Sequence, residues 1–152
     1  MTSLSFDDVL LVPQYSDIES RKSLSTSNQL DDKITLGLPI ISSPMDTVTE
    51  VDMAFAMDTH GGLGIIHRYN TVNDQARLVK KAKLKGVPVV GVAIGVTGDF
   101  LERAQALVEE GASVLCIDVA HGHHSMVERA IQSLKSVFGD SLHIMAGNVA
   151  TG

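Results

Sequence analysis

The chain has 152 residues, of which 44% are hydrophobic and 20% are charged, and its formal net charge is −6. This length supports one sizeable hydrophobic core, and the composition is that of a soluble globular domain. The negative charge argues against broad binding to nucleic acid or to an anionic membrane, although a local basic pocket could hold a phosphate. The longest nearly apolar run, residues 87–96, is too short to span a membrane.

The sequence also bears on the cellular compartment. Its N-terminus has neither the basic start nor the apolar stretch of a secretory signal peptide. The single cysteine, Cys116, cannot form an internal disulfide, which fits a reducing compartment. We therefore expect a cytoplasmic protein.

Residues 1–38 are the least regular part of the sequence, and we treat them as an N-terminal arm. Residues 6–13 have the pattern of an extended apolar anchor that ends at Pro13. Residues 20–34 are rich in Ser, Thr, Asn and Asp, which indicates loops or a short hairpin. We expect this arm to cover one end of the core.

From residue 39 onward, strand patterns alternate with helical patterns. The predicted strands cover residues 39–45, 64–67, 89–94, 114–118 and 143–149. The predicted helices cover residues 48–60, 72–85, 100–110 and 126–138. A repeat of this kind favours an α/β fold with parallel strands.

Each predicted helix has a start signal and a stop signal. At the start, a capping side chain stands three residues before a carboxylate, which satisfies free N–H groups and complements the helix dipole. The four pairs are Thr47 with Glu50, Thr71 with Asp74, Asp99 with Glu102, and Ser125 with Glu128. At the stop, a glycine suits the left-handed position that ends many helices. These glycines are Gly61, Gly86, Gly111 and Gly139.

Two architectures fit this alternation, a doubly wound open sheet and a (β/α)8 barrel of the TIM type. No Gly-x-Gly-x-x-Gly motif follows any strand, which weakens a dinucleotide-binding Rossmann domain. A complete barrel needs about 250 residues. We therefore predict a single domain in residues 39–152, with four βα units and a fifth strand of a (β/α)8 barrel. Its first and fifth strands would be open edges.

Polar side chains follow every predicted strand, and parallel strands would bring them to one edge of the sheet. They are Ser42, Ser43, His67, Arg68, Thr97, Asp118, His121 and Asn148. This edge is the predicted binding site.

Asp118 is the strongest single candidate, because an ionised carboxylate accepts hydrogen bonds from a diol such as that of a ribose. A turn-forming Asp is the alternative. Asn148 fits either a ligand contact or a turn. Ser43 offers a hydroxyl and Met45 a polarizable contact for a flat base, whereas their structural alternatives are a turn hydroxyl and a core Met.

Two further features suggest chemistry, but a structural role explains each of them better. His121, His123 and His124 invite a metal site, but no Cys or carboxylate stands at a familiar zinc spacing, so we predict no metal. Cys116 lies between Leu115 and Ile117 in mid-strand, which predicts a buried, inert thiol.

Five motifs, in this order and over nearly the whole chain, resemble the IMP dehydrogenase/GMP reductase family. They are residues 4–13 (LSFDDVLLVP), 41–50 (ISSPMDTVTE), 61–67 (GGLGIIH), 118–123 (DVAHGH) and 146–151 (AGNVAT). The resemblance implies a (β/α)8 barrel that binds a purine nucleotide, IMP or GMP, and a nicotinamide cofactor. In the family, a cysteine on the loop after the sixth strand attacks purine C2, and the cofactor accepts or donates hydride.

The resemblance also implies roles for individual residues. Ser43 and Met45 would contact the nucleotide, and Asn148 would help to hold it. The residues that would line the cofactor site are Asp118, Val119, Ala120 and His67, with Arg68 nearby.

Two features bear on the type of reaction. The chain runs directly from Lys85 to Val89, without the regulatory CBS-type modules of many IMP dehydrogenases, and GMP reductases commonly lack them too. Residues 41–50 are closer to the dehydrogenase form than to the Ala-Asn-Met pattern of many reductases. We favour conversion of IMP and NAD to XMP and NADH. The alternative is a GMP reductase that converts GMP and NADPH to IMP and ammonia.

By this resemblance, the catalytic cysteine and its bound monovalent cation, such as potassium, belong to a part of the barrel beyond residue 152. No catalytic residue is therefore assigned within the chain, and we expect the isolated polypeptide to be inactive. It would act with a complementary half-barrel or in a homo-oligomer. A non-catalytic half-barrel that binds nucleotides remains the other hypothesis.

Overall fold

The computed structural model describes residues 4–5 and 7–150. Phe6, the first residue of the predicted anchor, and residues 151–152 lie outside the described residues. The strands are β1 (Asn28–Gln29), β2 (Thr35–Leu36), β3 (Ile41–Ser42), β4 (Leu63–Ile66), β5 (Gly91–Ile94), β6 (Val114–Asp118) and β7 (His143–Gly147). The helices are α1 (Val51–Thr59), α2 (Val72–Leu84), α3 (Phe100–Glu109) and α4 (Ser125–Phe138), and a single 3-10 turn covers Arg21–Ser23.

Strands β3 to β7 form one parallel sheet, in which each strand pairs with the next one along the chain. One of the helices α1–α4 connects each strand to the next. The sheet curls into half of a (β/α)8 barrel, which confirms the predicted α/β class and TIM-type architecture. Strands β3 and β7 are its edges, as predicted.

Successive side chains of a strand point to opposite sides, so the sheet has an outer face and an inner face with different contacts. The outer face packs against the helices in the larger core, which includes Ile66, Val92, Ile94, Leu115 and Ile117. The inner face carries a smaller cluster, which includes Leu63, Ile65, Ala93 and Val114. The larger core therefore holds the helices on the sheet and leaves the inner, concave face more open.

The second part of the N-terminal arm covers the amino end of the inner face. Strands β1 and β2 form an antiparallel hairpin, which confirms the short hairpin predicted in this region. Its side chains Ile34 and Leu36 are buried against the inner cluster. The carboxylate of Asp31 accepts a hydrogen bond from Nδ1 of His143 on β7, at 2.7 Å. The hairpin thus connects the two edges of the molecule across the amino end.

The first part of the arm does not cover the core. Leu10 and Leu11 are 94% and 97% exposed, and Val12 is 76% exposed. The expectation that the whole arm packs on one end of the core is therefore wrong for this segment. The reason is that the hairpin already occupies that end with Ile34 and Leu36.

Only one of the four predicted helix caps forms as predicted. Oγ1 of Thr71 accepts from the backbone N–H of Asp74 at 3.1 Å, in front of α2. The prediction for Thr47 is wrong, because residues 45–49 form a turn in which Thr49 N–H donates to the Met45 carbonyl. Helix α1 therefore begins later than predicted, at Val51.

The other two caps differ for local reasons. Asp99 precedes α3 but makes no capping hydrogen bond, because its carboxylate pairs with Arg103 at 3.0 Å. Ser125 is the first residue of α4, and His124 takes the capping position instead. Nδ1 of His124 accepts from the backbone N–H of Met126 at 3.0 Å.

The predicted ends of the helices are confirmed. All four predicted stop glycines adopt positive φ angles; they are Gly61, Gly86, Gly111 and Gly139. The first strand is shorter than predicted, since β3 covers only two of residues 39–45. Pro39 and Pro44 flank it, and a proline has no N–H to extend a ladder. Within the described residues, no helix is both long enough and apolar enough to cross a bilayer.

Candidate functional site

The carboxyl ends of the five parallel strands form one rim, and the predicted site residues lie along it. Ser43 directly follows β3, His67 directly follows β4, Asp118 ends β6, and Asn148 directly follows β7. The topology therefore brings these residues to the same end of the sheet. Ser43 and Asn148 belong to opposite edges of the half-barrel, with β4, β5 and β6 between them.

Asp118 ends β6, the strand next to the edge strand β7. It has the same parity along β6 as Val114 and Cys116, which belong to the inner face. Its backbone carbonyl accepts a hydrogen bond from Nη2 of Arg68 at 3.1 Å. Among the described residues, no donor or cation pairs with its half-buried carboxylate. The carboxylate is therefore free to accept hydrogen bonds from a ligand.

The segments after β6 and β7 are fixed to each other by backbone hydrogen bonds. The N–H of Asn148 donates to the Val119 carbonyl at 2.7 Å, and the N–H of Gly122 donates to the Asn148 carbonyl at 2.7 Å. The peptide bond between Gly147 and Asn148 is cis. A Cβ on Gly122 would lie 2.8 Å from the Asn148 carbonyl oxygen, so only glycine allows this close approach.

Between these two segments lies an open cleft of about 550 Å³. Ala120, which is predicted for the cofactor side, and Asn148, which is predicted for the nucleotide side, both line this cleft. The other lining residues are His121, Gly122, His123, Val149 and Ala150. Ser43 and Met45 do not line this cleft, and both are exposed on the rim at β3. The structure thus brings Ala120 and Asn148 together and keeps the nucleotide residues of β3 apart from them.

His67 is only 3% exposed, and both of its ring nitrogens have partners within the chain. Nδ1 accepts from the backbone N–H of Tyr69 at 3.1 Å, so the proton of the neutral ring lies on Nε2. Nε2 donates to the Glu50 carboxylate at 3.1 Å. His67 therefore orders the rim, rather than offering a free ring nitrogen to a ligand.

Arg68 spans three strands of the rim. Its guanidinium passes Gly95 after β5, where an added Cβ would come within 3.6 Å of Nη1, and it reaches Asp118 at the end of β6. Within the described residues, two buried polar atoms of the β4–α2 loop have no hydrogen-bond partner, Nε of Arg68 and Oδ1 of Asn70. A buried polar atom without a partner costs about 1–3 kcal/mol, so this loop is not optimised for stability alone.

Sequence reasoning missed three residues that hold the rim. Oγ1 of Thr49 lies 2.6 Å from the Ser43 carbonyl and 2.8 Å from Oγ of Ser42, which fixes the exit from β3. Gln75 and Arg103 are buried polar residues between helices and strands, and their hydrogen bonds are described below. A polar residue on the apolar face of a helix is the signal that would have found Gln75, whereas nothing local marks Thr49.

The histidines after β6 lie near one another at the start of α4. The ring of His121 lies 6.3 Å from that of His123 and 6.5 Å from that of His124, between centroids. No group of three or more His, Cys, Asp or Glu side chains suited to a metal ion exists within residues 4–5 and 7–150. His124 instead caps α4.

Cys116 lies on the inner face and is half-buried, rather than fully buried as predicted. The inner face is open in a half-barrel, which explains the exposed part. Burial, and to a smaller extent the negative charge of Asp118, together raise the pKa of its thiol to about 11. A thiol of this kind is a poor nucleophile near neutral pH, which agrees with the predicted inertness.

Comparison with known proteins identifies the family of the chain. The family model described as "IMP dehydrogenase / GMP reductase domain" matches residues 3–152. Inosine-5'-monophosphate dehydrogenase of Cryptosporidium parvum is 34% identical over 97% of this chain and 46% of its own length. The enzyme of the same name from Borreliella burgdorferi is 30% identical over 98% of this chain and 48% of its own length.

A third relative is longer than this chain over the matched region. Inosine-5'-monophosphate dehydrogenase of Nitrosopumilus maritimus is 28% identical over 271 aligned residues, which cover 97% of this chain and 57% of the relative. The aligned region of that relative therefore contains residues without a counterpart here. The chain spans about half the length of the curated relatives it matches. With its half-barrel, its rim and a family match over nearly its whole length, the chain belongs to the IMP dehydrogenase/GMP reductase family.

Proposed function

We propose that this chain supplies the N-terminal half of the active site of a purine-nucleotide oxidoreductase, of the type that converts IMP and NAD to XMP and NADH. The observation that carries the proposal is the Asp118 carboxylate. It lies on the inner face at the rim, where β6 ends, and within the described residues it has no partner. The backbone around it is nevertheless fixed by hydrogen bonds, as a pre-organised acceptor site requires.

The residues of the rim fit a nicotinamide dinucleotide on one side. Asp118 would accept hydrogen bonds from the two hydroxyls of a ribose, which suits a group that only accepts. Val119 and Ala120 would line the same ribose, and Ala120 already lines the cleft next to Asn148. His67 would contribute by holding Glu50 and Tyr69 in place, since its own nitrogens are engaged.

The nucleotide would lie on the other side of the rim. The exposed hydroxyl of Ser43 and the thioether of Met45 would contact it from β3, and the side-chain amide of Asn148 would contact it from β7. Thr49 holds the Ser43 backbone in position for this contact.

The bound dinucleotide would supply the hydride acceptor, and this half of the site would orient it. We propose that the attacking cysteine is not Cys116, since this thiol lies in mid-strand with a raised pKa. A monovalent cation such as potassium would belong to the same part of the enzyme as that cysteine. The open edges β3 and β7 would associate with a complementary half-barrel or another copy, because bare parallel edges favour pairing. A single cysteine fits a cytoplasmic location.

The alternative is a GMP reductase that uses NADPH and GMP. The direct run from Lys85 to Val89, without regulatory modules, supports this alternative, because GMP reductases commonly lack them. The dehydrogenase is favoured by residues 41–50 and by the names of the three relatives described above.

Calorimetric titration of the purified 152-residue chain tests the proposal. We expect binding of NAD and of IMP, and no turnover of either IMP with NAD or GMP with NADPH. Addition of a C-terminal barrel half from a relative should restore turnover of IMP with NAD. Stronger binding of NADPH and GMP would favour the reductase, and no binding of any of these ligands would contradict the proposal. Robust turnover by the chain alone would contradict the assignment of the cysteine to another segment.

A further inference from the structure

The β4–α2 loop, residues 67–70, is held from behind by two buried polar side chains. Gln75 on α2 is fully buried, and Arg103 on α3 is 8% exposed. Nη1 of Arg103 donates to Oε1 of Gln75 at 2.8 Å. Buried polar groups of this kind must be fully hydrogen-bonded to be tolerated, so their partners indicate what they hold.

Gln75 holds the point where β4 leaves the sheet. The ladder between β4 and β5 ends with Ile66 opposite Val92, whereas β5 continues to pair with β6 as far as Ile94. Beyond that point, Nε2 of Gln75 donates to the Ala93 carbonyl at 2.9 Å and lies 3.4 Å from the Ile66 carbonyl. The side-chain amide therefore takes the place of a strand partner at the start of the loop.

Arg103 holds the other end of the same loop. Its Nη2 donates to the Asn70 carbonyl at 3.1 Å and to the Asp99 carboxylate at 3.0 Å. The planar fork of an arginine can make these contacts together with the one to Gln75, which a lysine cannot do.

The opposite side of the loop faces the rim. Arg68 donates across Gly95 to the Asp118 carbonyl, and within the described residues Nε of Arg68 and Oδ1 of Asn70 have no partner. The loop is thus fixed at both ends, while two of its buried polar atoms are left without partners. This is the arrangement expected of a loop that is held in place for binding.

We propose that Gln75 and Arg103 are positioning residues for the cofactor side of the site, and that they act through Arg68 on the backbone of Asp118. The inference rests on the proposed function for its ligand, but the geometry of the loop can be measured without any ligand.

The test uses the 152-residue chain and four variants. Gln75→Met removes every polar contact at similar length, and Gln75→Glu keeps an acceptor for Arg103 but loses both donors to the carbonyls. Arg103→Lys is a milder variant that keeps a positive charge beside Asp99. Val79→Ala is the matched control, because Val79 is buried one turn further along the same face of α2 and makes only apolar contacts.

Two readouts separate positioning from general stability. The first is the affinity for NAD by calorimetry, at a temperature at which all variants are folded. The second is hydrogen exchange at the amide of Tyr69, which lies within the loop, relative to the amides of Val114 and Ile117 in β6.

Both Gln75 variants should lose about tenfold or more in NAD affinity, the equivalent of one buried hydrogen bond. The exchange of Tyr69 should accelerate more than that of β6. Arg103→Lys should show the same pattern more weakly, and Val79→Ala should accelerate exchange uniformly without loss of affinity beyond its loss of stability.

The inference is overturned if Gln75→Glu keeps both the affinity and the Tyr69 protection of the original chain, or if the Gln75 variants and Val79→Ala behave alike. An original chain that binds no NAD contradicts the proposed function. In that case, the exchange rate of the Tyr69 amide relative to the β6 amides is the only test of the inference.

Discussion

The two ends of the same five strands have opposite characters. At the amino end, the Asp31 carboxylate accepts hydrogen bonds from His143 and from the backbone N–H groups of Lys33 and Ile34. Nζ of Lys33 in turn donates to the carbonyl of Asp140. At the carboxyl end, the Asp118 carboxylate and two buried atoms of the β4–α2 loop have no partner within the described residues.

This difference separates stability from binding. Polar groups that satisfy one another lower the free energy of the folded chain and have little left to offer a ligand. Polar groups that are held by the backbone but left without partners cost stability and are ready for a ligand. In barrels of parallel strands, this division between the two ends is the usual one. It predicts that substitutions at the two ends affect different measurements.

The largest effect is expected at the carboxyl end. Asp118→Asn should lower the affinity for NAD between about 10-fold and 100-fold, since hydrogen bonds to a charged group contribute about 1.5–3 kcal/mol. The melting temperature should stay the same or rise slightly, because the carboxylate stabilises nothing within the chain. Calorimetry and thermal denaturation measure the two quantities.

Asp58→Asn is a suitable control for this prediction. It removes one negative charge from α1, near the opposite end of the sheet, and should leave the NAD affinity unchanged. A large loss of melting temperature in Asp118→Asn would show that Asp118 is structural and would break the contrast between the two ends.

The sequence predicted most of what regular periodicity controls. The alternation of strands and helices and the stop glycines depend on local patterns, and the structure confirms them. The rim could also be predicted, because the carboxyl ends of adjacent parallel strands lie at the same edge of the sheet. Asp118 and Asn148 lie where this reasoning placed them.

What failed depends on contacts between distant segments. Asp99 does not cap α3 because Arg103 is a stronger partner, and the exposed residues 9–12 do not pack because the hairpin occupies the amino end. The amide of Gln75 replaces a strand partner only because β4 ends before β5. The spacing of residues along the sequence does not predict such competition between partners.

The second-largest effect is expected at the amino end of the strands. The folded chain holds the pKa of Asp31 below its ordinary value of 3.8, chiefly through the hydrogen bond from the backbone N–H of Lys33, with further contributions from His143 and Ile34. The unfolded chain therefore binds more protons in acid, so this stabilisation is present above about pH 4 and is lost as the pH falls further. Asp31→Asn should lower the melting temperature by a few degrees at pH 7 and flatten its decline in acid. The NAD affinity should not change.

Asp52→Asn is the comparison for this effect. Its carboxylate pairs with Lys85 on an exposed surface, and this pair lowers the pKa of Asp52 as well. An exposed pair contributes little to stability, so the variant should change the acid limb only slightly and should not loosen the hairpin. Hydrogen exchange at Ile34 distinguishes the two variants. Equal protection of Ile34 in both would show that Asp31 does not hold the hairpin.

The smallest effect is expected at Cys116, which lies on the inner face between the two ends. With a pKa of about 11, about one thiol in a thousand is ionised at pH 8, so iodoacetamide should react far more slowly with the folded chain than with the chain in urea. The rate should rise in proportion to hydroxide concentration up to about pH 11. Because burial is the larger cause of the raised pKa and Asp118 the smaller, Asp118→Asn should speed this reaction only modestly. Cys116→Ala should leave NAD binding unchanged. Rapid alkylation of the folded chain at pH 8 would mean that the inner face carries a reactive thiol. Cys116 would then be a candidate nucleophile, contrary to the prediction.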